Sequence, residues 1–127
     1  MGRASRQRSL VIMTAYIPKK GDFVVLTFDP QSGHEQKGRR PAIVISNHLF
    51  NKATRMAVVC PITNTKRNFP FHVPIPDDVD LTGFIMVEQI KSIDYRSRRA
   101  KFVAKAPQYI VDEILAKLDT FIYQDAD

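Results

Sequence analysis

Short apolar runs rich in β-branched and aromatic residues recur about every dozen residues along most of the chain, and they restrict its fold more than any other feature. Phe23-Val-Val-Leu-Thr-Phe28 opens after Lys20-Gly21-Asp22 and closes at Asp29-Pro30. Ala42–Ser46 begins just past Pro41, and Met56–Ile62 is a third run. Phe71–Ile75 alternates, and its Pro74 marks an edge or a strand end, because proline cannot donate to a ladder. Gly83–Ile90 and Lys101–Ala104 complete the series. Runs of this length and spacing predict strands of a small antiparallel barrel. The period then changes. Ile110, Val111, Ile114, Leu115, Leu118, Phe121 and Ile122 recur helically, and Pro107 suits a first turn. The expected fold is mainly β (α+β), with a C-terminal α-helix laying its apolar face on the barrel and its acidic face in water.

At 127 residues the chain suits one domain, large enough to bury a core without a disulfide or metal staple. Hydrophobic residues at 44% and charged residues at 25% match a soluble globular protein. No apolar run approaches the ~18 residues of a membrane-spanning helix. Leu10-Val-Ile-Met13 is too short for a secretory h-region, so the expected compartment is the cytoplasm. Residues 1–12 carry three Arg and no acid, without periodicity. They read as a disordered basic leader, passive or RNA-attracting, ahead of a single domain at 13–127 that starts at Met13. Cys60 is the one cysteine, which excludes an internal disulfide and a multi-cysteine metal site. Its place in Met56-Ala-Val-Val-Cys60-Pro predicts a buried, inert thiol.

The net charge of +6 is unevenly spread. Residues 13–111 hold fifteen basic and eight acidic side chains, giving +7, whereas Lys117 faces five acids over 112–127, giving −4. A body of that charge attracts polyanions, of which nucleic acid is the commonest.

Two polar segments are rich in functional groups. Residues 29–41 hold His34, Glu35, Lys37, Arg39 and Arg40, with Gly33 and Gly38 permitting unusual backbone angles. Composition alone makes this a solvated loop, but its length between two strands is a mark of function. Residues 61–71 hold Thr63, Asn64, Thr65, Lys66, Arg67 and Phe69. Basic groups interleaved with aromatics suit single-stranded nucleic acid, where phosphates and base faces are both met. A polar hairpin turn with Phe69 tucked into the core is the alternative. The chain has no paired-histidine metal motif, no phosphate-cradling glycine loop and no Gly-x-Ser-x-Gly elbow, and His34, His48 and His72 are scattered.

The motifs Lys20-Gly-Asp22, Phe28-Asp-Pro30, Gly33-His-Glu-Gln-Lys-Gly-Arg-Arg-Pro41, Ala42-Ile-Val-Ile-Ser46, Cys60-Pro-Ile-Thr63, Phe69-Pro-Phe71 and Glu88-Gln-Ile-Lys-Ser-Ile93 stand in this order. As an ordered set they resemble the MazF/PemK toxins, ribosome-independent endoribonucleases of type II toxin–antitoxin pairs, over about residues 16–122. The resemblance implies a homodimer of SH3-like barrels with single-stranded RNA across the interface. It also implies an acidic antitoxin of the MazE kind in the same groove, and no cofactor or metal. Arg40 falls on the family's catalytic arginine, Thr63 on its catalytic threonine, and Glu35 on an acidic loop residue implicated in activity. Glu88 stands where some members carry a catalytic aspartate, but Met86 replaces those members' arginine, which favours a site built on Arg40 and Thr63.

That chemistry suits the residue types. Attack by a ribose 2′-hydroxyl builds charge on phosphoryl oxygens, and a forked guanidinium can bind two of them. Thr63 can donate one hydrogen bond but has no useful basicity. Glu35 or His34 is then the candidate base, and Arg39, Lys37, Asn64, Thr65, Lys66, Arg67 and Phe69 the candidate RNA contacts. Two rival readings use the same fold: a gyrase-inhibiting toxin similar to the CcdB family, and a non-catalytic RNA-binding barrel. The Glu-Gln-x-Gly-x-Arg-Pro and Pro-x-Thr signatures favour the enzyme.

Overall fold

The computed structural model describes residues 15–28 and 38–125. Their strands are β1 (Asp22–Thr27), β2 (Arg39–Val44), β3 (Ala57–Thr63), β4 (His72–Pro74), β5 (Phe84–Met86), β6 (Lys91–Ile93) and β7 (Lys101–Lys105). Helix α1 (His48–Thr54) lies between β2 and β3, and α2 (Gln108–Leu118) follows β7. The strand order is β4-β5-β3-β2-β1-β7, with β6 added beside β3, and every pairing is antiparallel. β3 is the hub. One edge pairs β2, while the other pairs β6 along Ala57–Val59 and β5 along Ile62–Thr63. A strand shared between two ribbons turns the sheet on itself, which gives the expected barrel-like architecture.

The strands are nearly continuous apolar runs because the sheet is buried on both faces. Phe23, Ile43, Cys60 and Ile62 pack with Val73 and Ile85 beneath Ile110, Ile114 and Leu118 of α2. Val24, Leu26, Ala42, Val44 and Val59 face the other way, with Ile93 and Tyr95. Cys60 is fully buried. Pro74 ends the edge strand β4.

Three elements differ from the sequence expectation. The run Gly83–Ile90 is not one strand, because a 3₁₀ turn (Val87–Gln89) separates β5 from β6. Ile62 faces Ile85 but Val59 faces Lys91, so the register against β3 slips by three residues, which the turn absorbs. The apolar period of the last helix runs past α2 into a π-helical turn (Asp119–Tyr123), where Phe121 and Ile122 are 39% and 66% exposed rather than core. Helix α1 has no apolar stripe at all, since Leu49 is 76% exposed. It is fixed at its ends and by one polar side chain. The Asn47 side chain accepts from Phe50 N–H at 2.8 Å, and Arg55 closes the helix in the left-handed region at φ 62°. Buried Asn51 donates to Pro18 O at 2.8 Å and accepts from Ser46 Oγ at 2.5 Å, while its own carbonyl accepts from Tyr95 Oη at 2.9 Å.

Candidate active site

Arg40 and Thr63 lie where β2 and β3 run out of the sheet. Pro41 follows Arg40 and holds its backbone extended, because the proline ring disfavours helical geometry in the preceding residue. The register sets Leu26 opposite Arg40 and Ala42 opposite Pro61. Arg40 and Thr63 each lie two positions beyond that last pairing of β2 with β3. Both line one cleft of about 420 Å³ with Arg39, Pro41, Ile62, Asn64 and Thr65. Arg40 is exposed there, and Thr63 is half-buried.

Local bonds orient the polar groups. The Thr65 N–H donates to Thr63 Oγ1 at 3.2 Å, which occupies an acceptor position of that hydroxyl and leaves its proton for another partner. Thr82 Oγ1 donates to Asn64 Oδ1 at 3.5 Å. Gly83, at φ +134°, passes so close to β3 that a Cβ would lie 2.8 Å from the Thr63 carbonyl oxygen. An exposed guanidinium and a hydroxyl free to donate, lining one cleft, are groups chemically suited to the oxygens of a phosphodiester.

The other expected site residues are not all gathered in the cleft. Asn64 and Thr65 share the cleft, while Lys66, Arg67 and Phe69 follow on the exposed loop between β3 and β4. Phe69 is 43% exposed, its ring edge-on to Phe71 at 5.7 Å and to His72 at 5.1 Å, so it is not tucked into the core. Lys117 Nζ donates to Pro70 O at 2.7 Å and ties the loop to α2. Glu88 is not part of the cleft. Its carboxylate meets His72 Nε2 at 3.2 Å, and its other oxygen is buried without a partner among the described residues. Glu88 also adds to the burial that pushes the Cys60 thiol up to about 12. Arg39 lines the cleft, but its guanidinium donates to Val25 O, Arg98 O, Arg99 O and Thr27 Oγ1. His34, Glu35 and Lys37 lie outside the described residues, as does the leader 1–12.

Sequence reasoning missed His72 as the partner of Glu88, and Gly83 as the gap that admits the end of β3. The one available signal for Gly83 was a glycine opening an apolar run. A larger hollow of about 710 Å³ lies against Tyr16, Lys52, Arg55 and the 94–97 turn, and it holds none of the expected site residues. Among the described residues no group of His, Cys, Asp and Glu is arranged to hold a metal ion, and no helix is long and apolar enough to cross a membrane.

The fold is that of a small, mainly β, barrel-like domain with a C-terminal helix. The chain matches the family model described as PemK-like, MazF-like toxin of type II toxin–antitoxin system over residues 19–122. It is 34% identical over 109 residues to Endoribonuclease PemK of Escherichia coli, covering 82% of this chain and 81% of that protein. Endoribonuclease toxin ChpB of Escherichia coli (strain K12) is 38% identical over 109 residues, covering 82% of this chain and 93% of that one. A chain in the crystal structure of MazE–MazF (Form-III) from Deinococcus radiodurans superposes with a TM-score of 0.79 at 35% identity, covering 87% of this chain and 100% of that one. This chain belongs to the PemK-like, MazF-like toxin family of type II toxin–antitoxin systems.

Proposed function

We propose that this chain is a toxin endoribonuclease that cuts single-stranded RNA at selected sequences, and so arrests translation and growth in the cytoplasm. The observation that carries this reading is the meeting of Arg40 and Thr63 in one cleft at the end of β2 and β3. Relatives named as endoribonucleases support the class of reaction.

The nucleophile is the substrate's own ribose 2′-hydroxyl, which attacks the adjacent phosphorus in line with the leaving 5′-oxygen. As the bond forms, the non-bridging oxygens gain charge, and Arg40 binds two of them through its fork. Thr63 donates its hydroxyl proton to one of these oxygens while Thr65 N–H holds the hydroxyl in place. Glu35 takes the 2′-proton, with His34 as the alternative base. The bond to the 5′-oxygen breaks, and the leaving alkoxide takes a proton from solvent, giving a 2′,3′-cyclic phosphate and a 5′-hydroxyl. No water is activated in this step, so the chemistry calls on no metal ion. Asn64, Thr65, Lys66, Arg67 and Lys37 then hold the strand, and Phe69 offers a ring on which a base stacks. Two copies of the chain form the working groove, and an acidic antitoxin of the MazE kind occupies it in competition with RNA.

Incubating the purified chain with an unstructured RNA tests the reading, with defined cuts as the expected result. Intact RNA at every protein concentration would overturn it.

A further inference from the structure

Arg39 precedes Arg40 on β2, yet both its terminal nitrogens donate to protein oxygens. Nη1 donates to Arg99 O at 2.9 Å, Thr27 Oγ1 at 3.3 Å and Arg98 O at 3.4 Å, and Nη2 donates to Val25 O at 3.4 Å. Arg98 answers from the turn between β6 and β7. Its Nη1 donates to Thr27 O at 3.2 Å and to Phe28 O. Two backbone bonds run through the same place, Thr27 N–H to Arg98 O at 2.9 Å and Phe28 N–H to Gly38 O at 3.1 Å. The turn holding Arg98 and Arg99 is thus tied to the last residues of β1 and the first of β2 by two guanidinium groups and one backbone bond. Both terminal nitrogens of the Arg39 fork are turned towards protein oxygens, which leaves Nε–H and one Nη2 proton of its five donors outside these bonds.

We propose that Arg39 is a positioning residue rather than an RNA contact. Together with Arg98 it fixes the first residues of β2, and so sets the direction in which Arg40 enters the cleft. The catalytic half of this inference rests on the reading of Arg40 as the phosphate-binding group. A planar fork suits the task because its acceptors come from β1 and from the 98–99 turn at once, whereas an ammonium is a point donor on a flexible stem.

The test uses the full chain with Arg39→Ala, Arg39→Lys and Arg98→Ala. Each variant is assayed for cleavage kinetics, for amide exchange at Phe28 and Arg40, and for binding to a 2′-O-methylated oligoribonucleotide across a salt series. Arg39→Ala should exchange faster at both amides and lose roughly tenfold in kcat, with KM little changed. Its salt slope should match that of the unaltered chain, Arg39→Lys should not restore kcat, and Arg98→Ala should move kcat the same way. Should Arg39→Ala fail to fold, Arg98→Ala decides the question alone. A salt slope shallower by about 0.7 with kcat retained would make Arg39 a phosphate contact and overturn the proposal. A lowered melting temperature with kcat retained would overturn it too, because the tie would then serve the fold alone. If the unaltered chain cuts no RNA, the nuclease reading fails, and amide exchange still decides whether the two arginines fix β2.

Discussion

Pro41 holds the Arg40 backbone extended, and the Thr65 amide takes one acceptor position of the Thr63 hydroxyl at 3.2 Å. The roles of Arg40 and Thr63 differ in charge. Arg40→Lys should recover little of the activity lost in Arg40→Ala, because an ammonium cannot bind two phosphoryl oxygens in a fork. Thr63→Ala should be milder, at about tenfold in kcat, because it removes one hydrogen bond from an uncharged donor. Steady-state rates on one oligoribonucleotide check both, and equal losses in Thr63→Ala and Arg40→Ala would contradict this division. Cys60 provides a prediction about pH. Burial first, then the Glu88 carboxylate, raise its thiol to about 12 from the usual 9.0. The folded state therefore keeps a proton that the unfolded chain loses, and the stabilisation is whole below pH 9 and lost as pH climbs towards 12. Alkaline melting curves should fall more steeply for the unaltered chain than for Cys60→Ala. The native thiol should also resist labelling at pH 8, and rapid labelling there would contradict its burial.

At the scale of elements, Gly83 decides how closely the β5 ribbon approaches the site. In Gly83→Ala a methyl would meet Ile62 Cγ2 at 2.7 Å and the Thr63 carbonyl at 2.8 Å, in a backbone region that side chains rarely adopt. A carbonyl in a paired strand cannot step aside. The substitution should cost about 1–3 kcal/mol of stability and lower kcat through Thr63, which melting and cleavage assays can read together. An unchanged melting temperature would mean that the ribbon shifts freely. The strands were legible in the sequence because β1, β2 and β3 are buried on both faces and read as unbroken apolar runs. Helix α1 was not, since caps and the buried amide of Asn51 hold it, and neither leaves a period. Phe121 and Ile122 carried the period but emerged exposed, because periodicity records a face and not what covers it. That Arg40 and Thr63 belong together was legible through the resemblance alone, and they line one cleft. The engagement of Arg39 was not, since a basic residue reads the same whichever way its donors point.

Over the whole molecule, the +7 of residues 13–111 is the charge that would gather the proposed RNA substrate, and the proposed antitoxin would exploit the same charge. Surface attraction is screened over about 10 Å at 0.1 M salt, so antitoxin affinity should weaken as salt rises. Saturating uncleavable RNA should displace the antitoxin, and simultaneous binding of both would contradict a shared groove. Sedimentation should give about twice the chain's 14.5 kDa, and a monomer that still cleaves would remove the two-copy groove from the account. The central claim is that Arg40 stabilises an internal attack by the 2′-hydroxyl, and the products record that attack directly. One RNA, cut in the presence of EDTA by the unaltered chain and by Arg40→Ala, should be analysed for its new ends. The account predicts 2′,3′-cyclic phosphate and 5′-hydroxyl ends, undiminished by EDTA, and a loss of roughly 100-fold or more in Arg40→Ala. Products with 5′-phosphate ends, or an Arg40→Ala chain cutting at the original rate, would contradict it.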